Sequence, residues 1–86
     1  MMTPSQARYA LLVHLAWELR AILVSSWLVI PRCAEPVLYV ARGDGRADAI
    51  LAVQRDGHWR LMWRGAELDG GTLGAAADRI ARGASS

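Results

Sequence analysis

The side chains that could do covalent or metal chemistry in this chain are one cysteine and two histidines. Cys33 lies in a loop bounded by Pro31 and Pro36, and His14 and His58 lie far from it along the sequence. A cysteine acts as a nucleophile only as a thiolate, which requires a neighbouring base or a helix terminus. The chain also lacks the CxxC and HxxxH spacings of structural zinc sites. We therefore expect no catalytic residue, no metal site, no cofactor and no enzymatic activity.

A second kind of chemistry is suggested by the stretch HWRLMWR, residues 58–64, where tryptophans alternate with arginines. Aromatic rings can stack on bases and arginines can contact phosphates, so the pattern could form a platform for nucleic acid. The charge distribution argues against it. All ten basic residues are arginines, the formal net charge is only +2, and acidic residues lie beside most of the arginines. A binder of polyanions usually segregates its positive charge into a patch, so nucleic acid is disfavoured as a partner.

The composition indicates one small folded domain over residues 1–86, with disordered ends at about 1–2 and 84–86. The hydrophobic fraction of 53% and the four tryptophans indicate a packed core. A single cysteine cannot form an internal disulfide, which favours a cytoplasmic protein. Although residues 10–30 are mostly apolar, Glu18 and Arg20 interrupt them, so we predict no membrane segment. A domain this small and this apolar is expected to associate with itself or with a partner.

A long helix is predicted at the amino end. Thr3, Pro4 and Gln6 form the signature of a capping box, and the helical pattern continues to Ser25 or Ser26. Apolar residues three and four positions apart predict a core-facing stripe, which consists of Leu12, Leu15, Leu19, Ile22 and Leu23. A second apolar stripe on the opposite side is more than a solvated helix needs, so Val13, Trp17 and Val24 are predicted to bind a partner.

The remainder of the chain predicts three strands and a short helix. Strands are expected at residues 37–42, 49–55 and 58–64, since these runs are rich in β-branched and aromatic residues. Asp56-Gly57 predicts a tight hairpin between the last two strands. Thr72 can cap a helix over residues 73–82 that ends at Gly83. The predicted fold is therefore α+β: an α-β-β-β-α chain in which the two helices pack on a three-stranded antiparallel meander.

Strand alternation assigns the side chains to two faces of this sheet. The tight hairpin places Trp59 and Trp63 on the same face as Ile50, and we expect the long helix to cover that face. A four-residue loop over residues 43–46 would place Leu38 on the opposite face. The opposite face then has an apolar centre and basic residues at its margin, which is typical of a protein contact. The residues predicted to bind a partner there are Leu38, Leu51, Val53, Arg60, Met62 and Arg64.

Two resemblances follow from this pattern. The order α-β-β-β-α resembles the double-stranded RNA-binding domain, but the lysine cluster of that family is missing from "ELDGGTLGAAADR". The segments "HLAWELRA", "PVLYV", "DGHWRLMWRG" and "AAADRIAR" together resemble small uncharacterised proteins of high-GC bacteria; this resemblance supports the architecture and indicates nothing about function. We expect a non-catalytic protein–protein interaction module or regulatory accessory protein, homodimeric or bound to a partner protein. The alternatives are nucleic-acid binding by arginines on the open sheet face and small-molecule binding.

Overall fold

The computed structural model of the chain describes residues 3–32, 34–68 and 72–84. These residues form two helices and five strands in the order α-β-β-β-β-β-α. The helices are α1 (Pro4–Ala21) and α2 (Leu73–Ala84), and the strands are β1 (Ser26–Val29), β2 (Val37–Ala41), β3 (Ala47–Arg55), β4 (His58–Trp63) and β5 (Ala66–Glu67). The α+β class is confirmed, but the sheet has five strands where three were predicted. None of the described helices is long and apolar enough to span a bilayer.

Helix α1 begins as predicted and ends earlier than predicted. The Thr3 hydroxyl accepts a hydrogen bond from the Gln6 amide at 3.2 Å, and the Gln6 side chain accepts one from the Thr3 amide at 2.9 Å. Leu12, Leu15 and Leu19 are fully buried, which confirms these three members of the core stripe.

The end of α1 is a Schellman turn built without glycine. The Leu23 amide donates to the Arg20 carbonyl at 3.0 Å and the Val24 amide donates to the Leu19 carbonyl at 2.9 Å. Leu23 has φ +62°, a conformation that usually calls for glycine. The predicted continuation to Ser25 or Ser26 is wrong because the chain reverses here. Ile22 and Leu23 are exposed for the same reason, and Leu23 is 93% accessible.

The sheet is an antiparallel meander in which the strands lie in chain order. Strands β2, β3 and β4 correspond to the three predicted strands. The two additional strands lie at the edges: β1 follows the Schellman turn, and the two-residue β5 pairs with the end of β4. The segment SWLV of β1 has the aromatic and β-branched composition of a strand, but the helical pattern of the preceding residues obscured it.

The β3–β4 register is the predicted one, and the β2–β3 register differs by one residue. Arg55 pairs with His58 and Ile50 with Trp63, as the Asp56-Gly57 turn requires. In the first hairpin, however, Leu38 pairs with Ile50, because the connecting loop has five residues, 42–46. A shift by one residue exchanges the two faces of a strand. The assignment of Leu38 to the open face is therefore wrong: its side chain is fully buried in the core.

The core lies between one face of the sheet and the two helices. Leu38, Val40, Ile50, Ala52 and Leu61 are buried on this covered face, where they meet the three α1 leucines and the α2 residues Ala77 and Ile80. No described helix or strand covers the other face, which is called the open face below. The fold is thus a two-layer arrangement with one solvated side of the sheet.

Helix α2 is capped as predicted but extends further. The Ala75 amide donates to the Thr72 hydroxyl at 3.1 Å. The helix continues through Gly83 to Ala84, so the predicted end at Gly83 is wrong by one residue. Disorder at residue 84 stays a prediction. Residues 1, 2, 85 and 86, for which disorder was also predicted, lie outside the described residues.

Candidate protein-interaction surfaces

The open face of the sheet is apolar across four strands. Pairing places Val29 beside Val37, and Leu51 beside Met62. Since alternate residues of a strand share a face, the apolar residues of the open face are Trp27, Val29, Val37, Tyr39, Ala41, Ala47, Ala49, Leu51, Val53 and Met62. A sheet face in contact with water usually carries polar side chains along its length, so this composition is unusual for a solvated surface.

An aromatic pair marks the β1 end of the open face. The rings of Trp27 and Tyr39 stack with centroids 5.9 Å apart and planes inclined by 19°. Trp27 remains 47% exposed even with this neighbour. The pair therefore presents a rigid, flat apolar surface, of the kind that is enriched in protein interfaces.

The charges of the open face lie at its other end. The Arg60 Nε atom is 3.1 Å from Glu67 Oε1, and an Arg55 guanidinium nitrogen is 4.0 Å from the other oxygen of the same carboxylate. Arg60 is thus at the margin of the open face, as predicted, and it is already paired with an acid. The structure brings together Leu51, Val53, Arg60 and Met62 of the predicted sheet surface. A shallow groove of about 700 Å³ passes over Leu51, Val53 and Met62.

Arg64 borders this groove, but its guanidinium turns away from the open face. Its Nε atom donates to Asp48 Oδ2 at 2.8 Å, and a terminal nitrogen donates to the Gly83 carbonyl at 3.2 Å. The guanidinium also lies 4.6 Å from the centre of the Trp63 ring. The predicted direction of the Arg64 side chain, towards the open face, is therefore wrong: its guanidinium ties the end of β4 to α2.

The tryptophans of β4 lie on the covered face, as predicted, and each has an arginine beside it. Trp63 donates from Nε1 to Asp48 Oδ2 at 3.1 Å. The guanidinium of Arg8 on α1 lies 5.2 Å from the centre of the Trp59 ring and donates to the Ala52 carbonyl at 2.8 Å. Both rings are partly buried against the core. These arginines hold tryptophans inside the fold and do not form a platform for bases.

The predicted helix surface forms a second apolar site. Val13, Trp17 and Val24 line a groove of about 510 Å³ between the end of α1 and β1, together with Leu23 and Leu28. Trp17 is 61% exposed and stacks with the Arg20 guanidinium at 5.4 Å, while Val13 and Val24 are half-buried. Val24 reaches the groove from the Schellman turn, beyond the end of the helix.

Sequence reasoning missed the exposed residues of β1 and its flanks. Trp27 and Val29 project on the open face, and Ile30, just beyond the strand, is 61% exposed. The run SWLVI before Pro31 is short, apolar and β-branched, which is a strand signal. That signal was available, but no element was predicted for residues 27–30.

Within residues 3–32, 34–68 and 72–84, no three histidine, cysteine, aspartate or glutamate side chains are grouped so that they could hold a metal ion. His14 and His58 are both exposed, and Cys33 lies outside the described residues. No protein-family model, curated protein or solved structure matches this chain. The resemblance to small proteins of high-GC bacteria stays a prediction.

Proposed function

We propose that this chain is a non-catalytic protein–protein interaction module and that a protein partner covers its open sheet face. The observation that supports the proposal is the apolar centre of that face, which leaves Trp27 and Leu51 exposed. An apolar patch bordered by charged residues is a common arrangement at protein interfaces. The partner surface is expected to be apolar at its centre and uncharged there.

The size of the open face agrees with such a contact. Five strands at about 4.8 Å each span roughly 24 Å, and the nine residues of β3 extend roughly 30 Å. Because the outer strands are shorter, the flat footprint is on the order of 500 Å². Specific interfaces bury about 800 Å² of accessible surface per partner, and accessible area exceeds flat area. The face is therefore large enough for a weak to standard protein contact.

Charge argues against nucleic acid as the occupant of the open face. Arg60 is paired with Glu67, and Arg64 is held by Asp48 on the covered side. A phosphate would have to compete with these carboxylates for each guanidinium. Binding to polyanions depends on free cationic groups that release counterions. For small-molecule binding, the open face offers a shallow groove over Leu51, Val53 and Met62.

The test begins with a photo-crosslinking amino acid at position 62, introduced in the protein's native cells. A cross-linked protein is identified by mass spectrometry, purified and titrated against the purified chain by calorimetry. We expect Leu51→Asp combined with Met62→Asp to weaken that complex roughly 30-fold or more, because each carboxylate would be buried without a partner. Gln54→Asp is the matched control, since it adds a charge to β3 on the side away from the open face.

Three results would contradict the proposal. They are cross-links to nucleic acid alone, cross-links only to a second copy of this chain, or an equal loss of affinity in the Gln54→Asp control. If circular dichroism shows that the double aspartate variant is unfolded, Leu51→Ser with Met62→Gln replaces it. This milder pair must still weaken the complex more than the control does.

A further inference from the structure

Strand β1 is a short free edge of the described sheet that carries neither a charged residue nor a proline. It is the first strand of the sheet, and no described strand lies beyond it. Natural edge strands are commonly blunted by charged residues, proline or a bulge. The four residues Ser26–Val29 contain no charge and no proline, and each of them pairs with β2 in an unbroken register. Such an edge is a template for another strand.

The backbone groups that face this free edge can be identified from the ladder. The Ala41 amide donates to the Ser25 carbonyl at 3.0 Å, so residue 25 exchanges hydrogen bonds with β2. Hydrogen-bonded and non-hydrogen-bonded pairs alternate along antiparallel strands. Trp27 and Val29 therefore also bond to β2, while the N–H and C=O groups of Ser26 and Leu28 point outwards.

Exposed apolar side chains are concentrated around this edge. Among the large apolar residues that are substantially exposed in the described part of the chain, all except Leu51 belong to α1 or to residues 22–30. Leu23 is the extreme case, since it is almost fully exposed and adopts a strained positive φ. The 510 Å³ groove beside Trp17 opens next to Ser26 and Leu28 at the same edge.

We propose that β1 pairs antiparallel with β1 of a second copy of this chain, with Leu28 on the two-fold axis. Two five-stranded sheets would then form one sheet of ten strands, with all four helices on the same side. This interface shares Trp27 and Val29 with the open face, but Leu51 and Met62, which test the proposed function, lie on the strands β3 and β4 away from this edge, so the two proposals can fail separately. The groove at Val13, Trp17 and Val24 is also lined by residues of β1. A second copy paired with β1 would therefore cover this groove as well.

The register follows from which residues share a face. Residues directly opposite each other in an antiparallel pair must lie on the same side of the sheet. With Leu28 opposite the partner subunit's Leu28, the outward-pointing backbone groups of the two residues bond to each other. Trp27 then lies opposite the partner subunit's Val29 on the open face, and this aromatic and β-branched contact occurs twice.

A second copy fits this edge better than an unrelated strand does. A two-fold contact is isologous, so it joins the same patch on both subunits and repeats each favourable contact. Because β1 carries no charged side chain, the axis brings no like charges together within the strand pair. The half-exposed Trp27 and Val29 would both be covered by this pairing.

The first experiment measures the oligomeric state by sedimentation equilibrium from low to high micromolar concentration. The full chain is expected to be a dimer. Ser26→Pro removes an amide hydrogen that points to the free edge, so it should leave the β1–β2 ladder intact. Because both subunits of a symmetric dimer carry the substitution, two equivalent hydrogen bonds are lost. We expect Ser26→Pro to weaken the dimer roughly tenfold or more. Val29→Lys should weaken the dimer in the same direction by placing a charge opposite Trp27.

The second experiment tests the register with cysteine cross-linking in a Cys33→Ser background. Facing residues of a hydrogen-bonded pair have Cα atoms about 5.5 Å apart, which a disulfide can bridge. Leu28→Cys is therefore expected to form a covalent dimer on mild oxidation. Ser26→Cys is the control, since two copies of residue 26 would lie roughly 14 Å apart across the axis, at about 3.4 Å per residue.

The proposal is overturned if the full chain is a monomer at high micromolar concentration. Pairing of β1 with a strand of a different protein would not rescue it. It is also overturned if Ser26→Cys cross-links as readily as Leu28→Cys. A dimer that survives Ser26→Pro and Val29→Lys but dissociates on Leu51→Asp with Met62→Asp would place the second copy on the open face instead. Conversely, a β1-paired dimer that binds no protein on its open face would overturn only the proposed function.

Discussion

Gly83 allows α2 to approach the sheet closely enough to contact Trp63. A Cβ atom built on Gly83 would lie 2.7 Å from Cζ2 of the Trp63 ring, whereas carbon atoms in favourable contact are about 3.5–4.0 Å apart. The ring cannot move aside easily, because its Nε1 atom donates to Asp48 and Arg64 stacks on its face. We therefore predict that Gly83→Ala lowers the stability of the fold.

The magnitude is the difference between two opposing effects. Replacing glycine with alanine inside a helix usually stabilises it by up to about 1 kcal/mol. Overpacking a filled site typically costs about 1–3 kcal/mol. The steric effect should dominate, with a net loss of about 1–2 kcal/mol. In a domain of this size, that loss corresponds to a decrease in Tm on the order of 4–16 °C.

Gly74 provides the matched control in the same helix. A Cβ atom at Gly74 would lie 3.6 Å from the Glu18 carboxylate, which is an ordinary contact. Gly74→Ala should therefore leave the stability unchanged or raise it. Both variants are measured by urea unfolding, followed by tryptophan fluorescence and far-ultraviolet circular dichroism. If Gly83→Ala proves as stable as Gly74→Ala, the close approach of α2 to Trp63 is refuted.

Two further predictions test the faces of the sheet and the interactions at its end. Leu38→Ala should lower the free energy of unfolding by about 2–5 kcal/mol, because the Leu38 side chain is fully buried. Leu51→Ala should lower it much less, and thermal unfolding measures both variants. Equal losses would favour the β2–β3 register that was predicted from the sequence. Asp48→Ala should cost about 1–3 kcal/mol and change the tryptophan emission spectrum, since it removes the acceptor of the Trp63 and Arg64 hydrogen bonds. An unchanged Tm and spectrum would show that this carboxylate does not hold the two side chains.

The elements that sequence reasoning predicted correctly are those defined by local chemistry. The capping box at Thr3 starts α1, the hydroxyl of Thr72 starts α2, and Asp56-Gly57 closes the β3–β4 hairpin. Each of these signals acts within a few residues of itself. The side assigned to Trp59 and Trp63 followed correctly, because a tight turn determines the register of the strands beside it.

The errors arose where a contact distant in sequence outweighs the local pattern. Leu23 adopts a conformation that favours glycine, so no residue in the sequence marked the end of α1. The first hairpin has no two-residue turn to set its register, and a five-residue loop reversed the face of Leu38. Strand alternation placed Arg64 on the open face, but Asp48 binds its guanidinium, and only the folded chain brings the two together.

The sequence by itself therefore determined the α+β class, the capped helix starts, the tight hairpin and the excess of apolar surface. The tertiary structure alone decided where that surface lies. Local hydrogen bonds encode helix caps and tight turns in adjacent residues, whereas strand register and edge exposure depend on packing between distant segments. For this reason the prediction wrongly placed Leu38 and the Arg64 guanidinium on the open face, and the free edge of β1 was recognised only in the folded chain.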